Sequence, residues 1–174
     1  MPDKPDASPR QPIPNEILKV IQDRCQSTDD EMRWLVALIS DTGMRLSEAA
    51  GLLREDLCVF EDTPYVNIRP HPWRRLKTLG SQRKVPLVGY SLWAARQALE
   101  ASEDKFLFPK YCSERGCNSN SASAALNKWL KQIAGSKYVI HSLRHSMRDR
   151  LRAAGCPSDM IDQIGGWSSG KIGE

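Results

Sequence analysis

The 174-residue sequence predicts one mixed α/β domain, mainly α-helical, with a small antiparallel sheet or hairpin. Two observations carry that prediction. Apolar residues recur at helical spacings of three and four both before residue 43 and after residue 91, whereas residues 65–70 alternate in the manner of a strand. A length of 174 residues also suits a single core, and 40% apolar with 26% charged residues is ordinary for a globular chain.

Residues 1–11 (MPDKPDASPRQ) are rich in Pro and Asp and poor in large apolar groups, as in a flexible tail or interdomain linker; the domain is expected to occupy 12–174. A helix is predicted to begin at Pro14-Asn-Glu, with Ile17, Leu18, Ile21 and Cys25 on its inner side. Thr28-Asp-Asp-Glu reads as a capping box for the next helix, which carries Met32, Leu35, Leu38 and Ile39 and ends before Gly43. Ser47 is placed to cap a short helix with Glu48 in its first turn. Arg45 then lies in a tight bend between Met44 and Leu46. It either closes a helix end by pairing with Glu48 or holds out a fixed guanidinium fork to an anion.

Tyr65–Pro70 reads as a strand, and Gln82–Val88 returns as a second one after the turn Leu79-Gly80-Ser81. This ribbon carries Arg74, Arg75, Lys77, Arg83 and Lys84 beside Trp73. Such charge can simply protect a sheet edge, or it can meet a phosphate backbone. Helices are predicted again over Ser91–Ala101, with Leu92, Ala95 and Leu99 inward, and over Ser119–Ile133, with Ala122, Leu126, Trp129 and Ile133 inward. The intervening Phe106-Leu-Phe108-Pro109 is short and buried. One further helix follows His141, anchored by Leu143, Met147 and Leu151, and the last runs from Pro157 or Ser158 through Ile164. His141, Arg144, His145 and Arg148 share a face of the former, an arrangement that on many surface helices only keeps the face wet.

Composition excludes some classes. Lys and Arg outnumber Asp and Glu by 25 to 21, a net charge of +4 that permits an anionic partner without demanding one. No apolar run approaches the ~20 residues of a membrane span, and no secretory signal opens the chain. Five scattered cysteines fit reduced thiols in a cytoplasm.

Taken in order, the separated motifs resemble the tyrosine recombinases, or phage-type integrases. Thr42-Gly-Met-Arg45-Leu-Ser-Glu48 is similar to the family's first arginine box. Lys77-Thr78 through Arg83-Lys-Val-Pro86-Leu87 resembles the hairpin that presents a catalytic lysine. His141-Ser-Leu-Arg144-His145 resembles the His-x-x-Arg box, and Gly166-Trp167-Ser-Ser matches a box in which a minority of members carry Trp. The resemblance implies the catalytic-domain fold of that family, a DNA breaking-rejoining enzyme working through a 3′-phosphotyrosine without metal or other cofactor. It assigns Arg45 and Arg144 to the non-bridging phosphate oxygens, Lys77 to protonation of the leaving 5′-oxygen, His141 to proton transfer or a hydrogen bond at the phosphate, and Trp167 to donating its indole N–H and packing the site. Glu48 would brace Arg45 or His141. Arg74, Arg75, Arg83, Lys84 and Arg148 would contact DNA, and Arg75 and Lys84 stand near enough in sequence to rival Lys77.

The family's nucleophilic tyrosine lies about nine residues beyond the Trp position, past Glu174. None of Tyr65, Tyr90, Tyr111 and Tyr138 occupies that place, so the chain is expected to be a fragment, inactive and monomeric by itself. The longer protein is expected to be a cytoplasmic, bacterial or phage-encoded tetramer on double-stranded DNA, with no membrane association. A rival is a non-catalytic regulator that binds DNA through the hairpin and late helices. A zinc site built from Cys112, Cys117, His141 and His145 is a further alternative.

Overall fold

Pro14, with its fixed φ and no N–H to satisfy, starts α1 (Asn15–Thr28) in the computed structural model, which describes residues 11–167. Leu18, Ile21 and Cys25 of this helix face the core. Asp29 then takes a left-handed conformation (φ 51°), and α2 (Glu31–Ser40) begins. Its cap is Asp30, whose carboxylate accepts the Arg33 N–H at 3.0 Å, rather than the expected Thr28, which is still inside α1. Leu35 through Ser40 are all buried, as in a helix covered on every side, and α1, α4 (Gly89–Ala101) and α6 (Ser142–Ala153) pack around it.

Beyond the short α3 (Leu46–Ala50), three antiparallel strands form the sheet in the order β1 (Leu57–Cys58), β2 (Tyr65–Ile68), β3 (Arg83–Pro86). Val66 pairs with Val85 and Asn67 with Lys84, a register that points Val66, Ile68 and Val85 inward. Pro86 is tolerated because β3 is an edge strand. The two expected strands are present. β1, only two residues long, carried no alternating pattern to reveal it.

α5 (Ser119–Ala134) is capped by Asn118 and buries Ala122, Leu126 and Leu130, with Trp129 and Ile133 half-buried against the core. Phe106, Leu107 and Phe108 are buried as expected. The last element among the described residues is α7 (Ser158–Gly165), which packs on α6 and β3. Ile13 ties the start of the described chain to α6, its N–H donating to Ser146 Oγ at 2.7 Å.

The expectation of five reduced thiols is corrected. Cys112 and Cys117 face each other across a second small hairpin, β4 (Cys112–Ser113) and β5 (Gly116–Cys117), and form a disulfide; Cys25, Cys58 and Cys156 are free. The expected tail lies outside the described residues except for Gln11. Among the described residues no helix is long and apolar enough to cross a membrane.

Candidate active site

Gly43, with φ 71°, turns the chain out of α2 into the arginine box; a side chain there would meet Met147 at 3.1 Å. Arg45 is the residue flanking the start of α3, a place expected for Ser47, which instead lies within the helix. Its N–H donates to Glu48 Oε1 at 2.8 Å, and its Nη1 to Glu48 Oε2 at 3.2 Å. The same carboxylate receives a two-pronged bond from Arg83, Nη1 and Nη2 each at 2.9 Å. Burial, at 1% exposure, would raise the Glu48 pKa. The bonds and charge of Arg83, with those of Arg45, outweigh it and hold the carboxyl below its ordinary value.

Three successive carbonyls at the end of α7 hold the arginine cluster. Ile164 O accepts from Arg83 Nε at 2.8 Å, Gly165 O from Arg144 Nη1 at 2.7 Å, and Gly166 O from Arg45 Nη2 at 3.5 Å. A helix C-terminus suits cations, since its last carbonyls lack intrahelical donors. Arg144 also donates to Gly43 O at 2.7 Å, so it bridges the two glycine-bearing turns. Its guanidinium lies 4.5 Å from the Trp167 ring centroid, and that of Arg148 lies 5.0 Å from the same ring. Burial, with repulsion from Arg45, lowers the Arg144 pKa to about 9. It therefore stays charged at neutral pH in a place where a bound anion would relieve the repulsion.

An open cleft of about 360 Å³ has Arg45, Lys77 and His141 among its walls, with the N-terminal turn of α5 opposite. His141 directly precedes α6, and its ring meets that of His145 edge-on at 5.3 Å. The structure thus gathers three of the expected residues at one cleft. Arg144 and Trp167 do not line it; Arg144 joins it through the carbonyls of Gly43 and Gly165, and Trp167 packs on Arg144.

The basic ribbon divides in two, and here the expectation is corrected. Arg75 and Lys84 are exposed, as is Lys77. Arg83 is turned inward onto Glu48, since a buried carboxylate needs a full partner. Arg74 is only 5% exposed, pressed on Gly51, with Nη1 donating to Arg69 O at 2.9 Å. Its Nε and Nη2 find no hydrogen-bond partner among the described residues. Both side chains are turned into the fold rather than outward. Arg148 is half-buried on Trp167 rather than extended outward.

The sequence reading missed the base of the ribbon. Buried Asp56 accepts from Arg69 Nε at 2.6 Å and shares a hydrogen bond with His71 Nε2 at 2.7 Å, while the His71 ring stacks on Trp73 at 4.5 Å. It also missed Ser81, whose Oγ accepts from Arg45 at 3.4 Å and whose carbonyl accepts from Arg83 at 2.6 Å. The double glycine at 165–166 was the available signal for the carbonyl cluster: a Cβ on Gly165 would fall 1.9 Å from the Trp167 ring. As to zinc, Cys112 and Cys117 are bonded to each other, and no group of three or more His, Cys, Asp or Glu among the described residues could hold a metal.

A mainly helical domain with small antiparallel sheets is the fold of tyrosine recombinase catalytic domains. Residues 13–172 match the model of the phage integrase family, and the chain belongs to that family. It is 30% identical over 140 residues to tyrosine recombinase XerD of Corynebacterium glutamicum, covering 79% of this chain and 44% of that protein. Among solved structures, the XerA recombinase superposes with a TM-score of 0.71 at 21% identity, over 97% of this chain and 58% of that one. The integrase of transposon Tn1549, in complex with circular intermediate DNA, gives 0.66 at 19% identity, over 94% and 61%. The chain thus spans about half the length of the relatives it matches.

Proposed function

We propose that residues 12–174 are the catalytic domain of a site-specific DNA recombinase, preceded by a linker and lacking its nucleophile. In this reading a tyrosine from outside residues 1–174 attacks a phosphodiester of duplex DNA, and the 5′-oxygen leaves, giving a 3′-phosphotyrosine. Arg45 and Arg144 neutralise the charge gathering on the non-bridging oxygens, each worth roughly 3 kcal/mol by comparison with oxyanion-hole donors. Lys77 gives its proton to the leaving oxygen, His141 hydrogen-bonds the phosphate, and Trp167 packs the cluster. Arg75 and Lys84 take the DNA backbone on the exposed side of the ribbon.

The observation that carries this reading is the double anchoring of the arginines. Glu48 and the carbonyls of Gly165 and Gly166 fix Arg45 and Arg144 before any substrate arrives, beside a cleft that also exposes Lys77 and His141. None of the four tyrosines lines that cleft, which supports an external nucleophile. Family membership, and solved relatives described in complex with DNA, support duplex DNA as the substrate. The domain alone is a monomer in this reading, and the longer protein a tetramer on DNA, inside the cytoplasm.

Covalent trapping tests it. Residues 1–174 and a protein extended beyond Glu174 are incubated with nicked duplexes carrying the element's attachment sites, with Arg144→Ala in the extended protein as control. A denaturant-resistant adduct formed only by the extended protein is the expected result. Tight duplex binding with no adduct from either would favour the DNA-binding regulator instead.

A further inference from the structure

Leu79 is 98% exposed, and only Phe60 among the large apolar side chains of the described residues is as bare. Phe60 stands next to Glu61 and Asp62, whose charge repels phosphate. Leu79 stands two residues from Lys77 of the cleft, between the small exposed residues Thr78 and Gly80. A single exposed leucine is usually unremarked surface. This one is held out by a built support. Its turn is closed by the Ser81 N–H to Thr78 O at 3.1 Å and by Thr78 Oγ1 with Ser81 Oγ at 3.0 Å. Ser81 is in turn fixed by Arg45 and Arg83, the guanidiniums that share Glu48. The tip therefore cannot fold Leu79 back onto the core without disturbing the arginine cluster.

A narrow, rigid turn with cations at its base and one bare apolar side chain at its tip fits the minor groove of duplex DNA, about 6 Å wide. Apolar side chains inserted there partly unstack a base step, most readily at flexible pyrimidine–purine steps. We propose that Leu79 is such a wedge, entering the minor groove beside the phosphate held at the cleft and biasing the enzyme toward deformable steps. The proposal rests on duplex DNA being the substrate, as inferred above.

Binding of residues 1–174 to two duplexes of equal length and composition tests it: alternating T-A repeats and an oligo(dA)·oligo(dT) tract, each with one central adenine replaced by 2-aminopurine. These present the same minor-groove atoms and differ in stiffness, and their repetition makes binding register immaterial to the affinity ratio, while the 2-aminopurine reports the fraction of chains bound at the central step. The wild-type chain is expected to prefer the alternating duplex several-fold and to raise its 2-aminopurine fluorescence. Leu79→Ala should bring the ratio close to one and abolish the fluorescence rise while leaving the salt dependence unchanged; Leu79→Met should keep both. An unchanged ratio and signal in Leu79→Ala, with salt-dependent binding intact, overturns the wedge alone. No salt-dependent binding to either duplex by any variant overturns the DNA reading on which it rests.

Discussion

Glu48 is the side chain on which two arginines converge, and its removal should be felt in both stability and pH response. Glu48→Gln leaves the buried Arg83 facing a neutral amide, at a cost of about 3 kcal/mol by analogy with broken buried pairs. Because the folded-state pKa of Glu48 lies below its unfolded value of 4.5, its contribution is full above that pH and fades as pH falls through the folded value. Urea midpoints measured between about pH 3 and 7 should therefore drop more shallowly on acidification in Glu48→Gln than in the wild type. Parallel curves would remove the carboxylate from the account of acid stability.

The elements around the site make two further expectations. Gly166 ends α7 with φ 64°, and a Cβ there would lie 2.7 Å from Arg83 Nη1. Gly166→Ala should cost about 1–2 kcal/mol from backbone strain alone, and more from the displaced guanidinium, read as a lower Tm. Cys112–Cys117 closes the short β4–β5 hairpin, so reducing it should cost about 2 kcal/mol on the chain-entropy account. A Tm that falls with reductant in the wild type, and does not respond in the Cys112→Ser, Cys117→Ser double variant, checks it. These elements also mark what the sequence could reveal. Helices α1, α2 and α4 to α7 were legible because each buries a stripe that recurs every three or four residues. Arg45, Lys77 and His141 were legible because the motifs holding them are local. The inward turn of Arg83 was not, since its partner Glu48 is 35 residues away and an Arg on a strand edge reads as exposed. Arg74 failed likewise. Thr28 and Ser47 were misjudged as caps because each has an acid or an equally placed neighbour within two residues, and helix ends are settled by backbone geometry.

For the whole molecule, an excess of four positive charges is mild, so the proposed DNA affinity must come from where the cations are placed. In the proposed reading Arg45 with Arg144, Lys77, Arg75 and Lys84 neutralise about four phosphates, which predicts a loss of about a hundredfold in duplex affinity between 50 and 200 mM salt. Arg75→Ala with Lys84→Ala should lower the slope of log affinity against log salt by about 2, whereas Arg74→Ala should leave the slope alone and lower stability. Equal effects of the three substitutions on the slope would mean that the division of the ribbon into buried and exposed cations is mistaken.

The carbonyls of residues 164–166 hold Arg45, Arg83 and Arg144, yet they leave the ribosome long after the first two. Until that last turn docks, Glu48 has its arginines but the cluster has no floor, and Arg144 lacks one of its two acceptors. Docking of Gly165-Gly166-Trp167 is therefore the step that completes the arginine cluster, joining three guanidiniums far apart in sequence on one short run of backbone.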